Sequence, residues 1–158
     1  MARVLVAYVT HSGSTAEVAA AIGEELEARG YEVTVSPASE ARAVAAYDAV
    51  VAGGLLYRFG WHPEMVRFLQ EHQPELKSRP VALFATGLRP ATATDGEGMP
   101  CPVYVYEVPE TESAQTLAAS LKNALPAIEA LRPRSLAYFR GKVDPAVLWW
   151  PERLVMWI

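Results

Sequence analysis

Residues 10–15 read Thr10-His11-Ser12-Gly13-Ser14-Thr15, and their types suit the holding of an anion. An apolar run, residues 4–9, ends at this segment, and an amphipathic pattern begins directly after it. A helix that starts there leaves its first backbone N–H groups unpaired and carries partial positive charge at that end, so a phosphate placed on it satisfies both. The hydroxyls of Thr10, Ser12, Ser14 and Thr15 add donors, and Gly13 lets the backbone approach closely. No Lys or Arg stands in the segment. Charge is then balanced by backbone dipoles, unlike the lysine-bearing phosphate loop of nucleotide hydrolases, whose spacing the segment also lacks. Ser and Gly also gather between strands and helices simply because they cap and turn, and the segment alone leaves both readings open.

Two further segments share this design. Gly53 and Gly54 follow an apolar run and lead into Leu55, Leu56, Tyr57 and Trp61; Thr86, Gly87 and Leu88 follow the run 81–85. Small residues at the ends of buried strands bring backbone close to a ligand, and Tyr57 and Trp61 offer aromatic faces to a planar one. Trp61 is equally readable as packing on the helix that follows it. Tyr104 and Tyr106 are further aromatic candidates, although residues 103–108 alternate like a short extra strand.

Positioning these segments requires a regular scaffold, and the chain alternates strand-like and helix-like patterns. Strands are expected at 3–9, 32–36 (polar, hence an edge), 47–54, 81–85 and 134–139. Helices are expected at about 15–29, with Val18, Ile22 and Leu26 forming one buried stripe and Gly30 as the stop, at 63–74, and at 112–124 before Pro126 interrupts. A short helix is expected within 38–46, and a long loop over 88–110. Near-continuous apolar strands alternating with helices predict a parallel sheet covered on both faces, a doubly wound α/β fold. Ligands in such sheets bind outside the carboxyl ends of the strands, where all three segments would lie.

A length of 158 residues suits a single domain spanning 1–158. The net charge of −4 and the lack of a Lys/Arg cluster in the sequence argue against nucleic acid as a partner. Cys101 is the only cysteine, so no internal disulfide and no Cys-rich metal site is expected. Met1-Ala2-Arg3 leads straight into the first strand, from which a cytoplasmic location is expected. Three of the four tryptophans, Trp149, Trp150 and Trp157, stand in the apolar tail. That tail is either a last helix over the sheet or a contact with a membrane surface or partner subunit. His62, just before Pro63, is expected to cap the following helix. Arg58 and Arg89 flank the expected cleft mouth.

Taken together, these segments resemble the flavodoxin-like family. T-H-S-G-S-T at 10–15, followed by Glu17, is similar to the family's phosphate loop for flavin mononucleotide (FMN). Y-D-A-V-V-A-G-G-L-L-Y-R-F-G-W-H-P-E-M-V-R-F-L at 47–69, F-R-G-K-V-D-P at 139–145 and P-E-R-L at 151–154 resemble the flavodoxin-domain branch that contains menaquinone-dependent protoporphyrinogen IX dehydrogenase. The likeness covers most of the chain except 88–110.

The resemblance implies a three-layer fold with five parallel strands in order 2-1-3-4-5. The FMN phosphate would lie on Thr10, His11, Ser12, Gly13, Ser14 and Thr15. The flavin ring would lie between Leu55, Leu56, Tyr57 and Trp61 on one side and Thr86, Gly87 and Leu88 on the other. It also implies an oxidoreductase taking electrons from a reduced organic substrate, protoporphyrinogen IX being the named case, and passing them to a quinone-like acceptor. Chemistry would reside in the flavin, so no catalytic side chain and no metal ligand is assigned. The other readings are a flavodoxin electron carrier serving a protein redox partner, and a flavin-free scaffold of the same fold. A homodimer, or peripheral membrane contact through the tail, would cover any face of the sheet that the tail leaves bare.

Overall fold

The apolar runs become strands and the amphipathic stretches become helices. The computed structural model describes residues 1–11, 13–57, 60–87, 99–106 and 120–140. Its strands are β1 (Arg3–Val9), β2 (Glu32–Pro37), β3 (Ala49–Tyr57), β4 (Gly60–Trp61), β5 (Val81–Gly87), β6 (Val103–Tyr106) and β7 (Ser135–Arg140). Its helices are α1 (Ser14–Ala28), α2 (Pro63–Glu71), α3 (Gln73–Lys77) and α4 (Leu125–Leu131), with a short 3-10 turn at Val44–Ala46. The sheet runs β2-β1-β3-β5-β7-β6, with β4 paired to β3 alone. Every pairing except the β3–β4 hairpin is parallel.

The five expected strands, in chain order, therefore lie 2-1-3-4-5. Two additions extend that core: β6, an outer parallel strand on β7, and the two-residue strand β4. Alternation along β1 shows why helices must cover both faces. Val4 and Val6 join the cluster under α1, while Leu5, Ala7 and Val9 join the one under α2, α3 and α4. On α1 the stripe Val18, Ile22 and Leu26 is buried to 2% exposure or less, each side chain contributing about 1.5–3 kcal/mol by leaving water. The polar strand β2 lies at an edge, as its composition predicts.

Three local expectations need correction. The paired glycines do not end the third strand: β3 continues through Gly53 and Gly54 to Tyr57 and turns back as β4. Both glycines answer to packing. A Cβ on Gly53 would overlap the ring of Phe84, and one on Gly54 would press on Trp61 and Met65 from the opposite face. The helix expected at 63–74 is two helices, broken at His72, the second with Pro74 in its first turn. Pro126 does not interrupt a helix but opens α4, where its missing N–H costs nothing. Most of the helix expected at 112–124 lies outside the described residues, as do the tail from 141 and most of the 88–110 loop.

Candidate functional site

β1 delivers the chain to its carboxyl end at Val9, and one side chain then ties Thr10 to the start of α1. Thr10 Oγ1 accepts the Gly13 backbone N–H at 3.0 Å. Gly13 is the N-cap of α1 with φ +94°, a left-handed conformation that glycine adopts without strain. Among the described residues no side chain caps α1; its regular ladder begins where the Glu17 N–H meets the Gly13 carbonyl at 3.1 Å. The first N–H groups of α1 thus face outward at the carboxyl end of the sheet, with Glu17 in the first turn. A Cβ added to Gly13 would find no described atom within 4 Å beyond its chain neighbours. Ser14 is half-buried and His11 exposed.

The third segment is tied to the first. Thr15 Oγ1 and Thr86 Oγ1 lie 2.8 Å apart in a buried hydrogen bond, with Thr15 at 1% and Thr86 at 4% exposure. The contact joins the first turn of α1 to the end of β5 across 71 residues of sequence. Gly87 follows in a narrow place, since a Cβ there would approach the Tyr138 hydroxyl to 2.6 Å.

The second segment is a strand extension and hairpin rather than the loop expected. Leu55 pairs in register with Thr86, which brings the second and third segments side by side, and its carbonyl accepts the His62 N–H at 3.0 Å. Leu56 faces Trp61 and Tyr57 faces Gly60 across the hairpin. Trp61 is fully buried, its indole N–H donating to the Gly54 carbonyl at 2.8 Å, and it belongs to the same cluster as Met65 and Leu69 of α2. Of its two readings, packing on the following helix is the one observed: protein encloses the ring, so it presents no open aromatic face. His62 caps α2, with Nδ1 accepting the Glu64 N–H at 3.2 Å.

Sequence reasoning missed Asn123. Its Oδ1 accepts the Trp61 N–H at 3.0 Å and its Nδ2 donates to the Trp61 carbonyl at 2.8 Å, as a neighbouring strand would. A Cβ on Gly60 would overlap the same amide. An Asn inside an apolar helical pattern, three residues before Pro126, was the available signal for a turn. Ser12, Arg58, Leu88 and Arg89 lie outside the described residues.

No Lys or Arg stands among the described residues of the three segments. Among the described residues no group of three His, Cys, Asp or Glu is placed to hold a metal ion, and no helix is long and apolar enough to cross a membrane. Cys101 precedes β6, and burial pushes its thiol up to about 11, which keeps it protonated and unreactive at neutral pH.

Comparison with known proteins agrees with this geometry. The family model described as a flavodoxin domain matches residues 5–158. Among solved structures, a flavodoxin from the domain Archaea superposes with a TM-score of 0.64 at 15% identity, covering 96% of this chain and 92% of its own. The two-electron reduced flavodoxin of Megasphaera elsdenii superposes at 0.63 and 16% identity, covering 89% of this chain and 88% of its own. A Fusobacterium nucleatum flavodoxin variant bound to flavin mononucleotide reaches 0.52 at 12% identity, covering 90% and 75%. At such identities the likeness is one of fold. No curated protein matches.

Proposed function

Since this chain belongs to the flavodoxin-domain family, we propose that it is an electron-transfer flavoprotein holding FMN at the carboxyl end of its sheet, with residues 1–158 as a single domain. The observation that carries this reading is the buried Thr15–Thr86 hydrogen bond. It locks the uncapped start of α1, which suits a phosphate, against the strand end that would border the flavin ring. The described residues fit such a group: a left-handed glycine, a helix start that none of them caps and a hydroxyl closing the turn.

Thr10, His11, Ser12, Gly13, Ser14 and Thr15 would hold the phosphate, Thr10 by shaping the turn and Thr15 by fixing the helix start. Leu55, Leu56, Tyr57, Thr86, Gly87 and Leu88 would border the ring, and buried Trp61 would support that wall from behind. Bound FMN supplies the redox chemistry; the chain binds it, orients it and excludes water, and no side chain is given a catalytic role.

Two finer readings differ in who exchanges electrons with the flavin. The motifs at 47–69 and 139–145 favour an oxidoreductase passing electrons from a reduced organic substrate such as protoporphyrinogen IX to a quinone-like acceptor. That acceptor would bring the Trp-rich tail to a membrane surface or into a homodimer. The flavodoxins that cover nine-tenths of this chain favour a carrier for a protein redox partner. Purified protein, or protein incubated with FMN, will be yellow; a colourless product would sink both readings. Anaerobic protoporphyrinogen IX will bleach the flavin spectrum and a menaquinone analogue will restore it if the protein is the enzyme, whereas a spectrum that stays unbleached selects the carrier.

A further inference from the structure

At the amino ends of the strands, opposite the FMN cradle, a cavity of about 780 Å³ opens where α3 and α4 end and β5 and β7 begin. Lys77, Arg79, Arg132 and Arg134 line it, with Glu129 as the one carboxylate and Val81 and Leu131 as apolar floor. We propose that this cavity binds a multivalent anion carrying phosphate groups.

The charge is local, and no ion pair among the described residues neutralises it. The chain as a whole has a net charge of −4, yet four of its fourteen Lys and Arg residues meet here. The ion pairs among the described residues are Arg3–Glu32 and Arg29–Glu25, and none of the four cations takes part. Two helix carboxyl ends contribute about one unit of negative charge in all, against a surplus of three cations over carboxylates in the lining.

The cluster is also built. Arg79 is held by the carbonyls of Glu75, Val44 and Tyr47 at 2.5, 2.8 and 2.5 Å. Its Nη2 also donates to the Ser78 hydroxyl at 3.2 Å, so four of its five N–H groups are engaged: Arg79 lends the cavity a fixed charge that binding need not order, and Arg132 and Arg134 are left to take ligand oxygens. Arg132 caps α4 in a left-handed conformation, φ +49°, at a position where glycine is the favoured residue. A non-glycine residue tolerates that conformation at a cost, and what the chain gains is an arginine side chain on this cavity. Buried Pro133 then directs the chain away from the helix into β7.

The volume suits a ligand of nucleotide size, and several cations around one opening suit linked phosphates, with guanidinium groups taking two oxygens at once. The probes are inorganic tripolyphosphate and ATP, titrated calorimetrically into the full chain saturated with FMN, so that the α1 cradle is already filled. Saturable binding of either probe is expected, weakened at least about tenfold by Arg132→Gly combined with Arg134→Gln, the loss of roughly one charged hydrogen bond or more. Equal affinities assign a free oligophosphate; tighter binding of ATP assigns a nucleotide, its nucleoside adding contacts to those of the phosphates. Arg132→Gly puts the favoured residue into the left-handed position and so retains the fold, which a thermal melt checks; Arg134→Gln alone repeats the test at a strand terminus. No binding to the wild-type chain at millimolar probe, or binding indifferent to both substitutions, overturns the proposal. If the protein takes up no FMN, the same titration on the chain alone decides the inference independently of the flavin reading.

Discussion

At the carboxyl ends of the strands the groups that would meet an anion are the backbone N–H groups at the start of α1, set in place by threonine hydroxyls; at the amino ends they are an ammonium and three guanidinium groups. The first set is fixed by burial: Thr15 and Thr86 are enclosed and bonded to each other, and Gly13 sets the direction of α1. The second is fixed at one residue, Arg79, while Lys77, Arg132 and Arg134 are exposed. A dipole-based cradle depends on geometry, because each donor carries a fraction of a charge and must point correctly. A cation-based cavity tolerates looser side chains but is exposed to salt. On the two proposals above, the same sheet would carry a shape-selective site at one end and a charge-selective site at the other.

Breaking the geometry at the carboxyl end will have the largest effect. Thr15→Val removes one partner of a buried hydrogen bond and leaves the Thr86 hydroxyl unsatisfied, a cost of about 1–3 kcal/mol. Urea unfolding will show that loss, and fluorescence titration will show FMN affinity reduced by about ten- to a hundredfold. Unchanged FMN affinity would place the phosphate away from α1. Arg134→Gln, at the other end, will shift the unfolding midpoint little, since exposed charges contribute about 0–1 kcal/mol.

Next in size is Asn123→Ala, at about 1–2 kcal/mol, because the buried Trp61 backbone loses a donor and an acceptor together. Asn123 also stands just before α4, whose far end carries Arg132. If the hairpin borders the flavin, the variant will bind FMN more weakly while its affinity for tripolyphosphate stays that of the wild type. A parallel loss at both ends would show that α4 transmits disorder from one to the other. Gly13→Ala follows, at about 1 kcal/mol, since the site has space for a methyl group and only the left-handed backbone resists it. Its thermal melt will fall modestly without loss of the folded state.

The five main strands and the stripe Val18, Ile22 and Leu26 were legible because burial on two faces writes itself as continuous apolar runs and four-residue spacing; the order 2-1-3-4-5 came from the family resemblance, since apolar runs do not say which strand pairs with which. The passage from strand through Gly13 into α1 was legible because its signals are local: an apolar run, hydroxyls, a glycine, then helical spacing. The hairpin at Leu55–Trp61 was not, since Gly53 and Gly54 look like a stop unless one knows that Phe84 lies across the first and Trp61 across the second. Trp61 was ambiguous for the same reason, its partner Asn123 being 62 residues away. The basic cavity escaped notice because Lys77, Arg79, Arg132 and Arg134 sit in two well-separated stretches, each an ordinary helix end, and only the parallel pairing of β5 with β7 brings them together.

Ionic strength separates the two ends without any substitution. At about 0.01 M salt the screening length is about 30 Å, and at about 0.1 M it is about 10 Å. Three surplus cations on an open cavity lose most of their attraction over that range, so tripolyphosphate affinity will fall more than tenfold. FMN affinity, resting on backbone dipoles and on contacts with an uncharged ring, will change by less than about threefold, and added salt will if anything relieve repulsion from a chain of net charge −4. Parallel titrations of the two ligands in the same buffers measure the contrast. Equal salt dependence would mean that point charges also govern the cradle, and that a cation beyond the described segments reaches the phosphate.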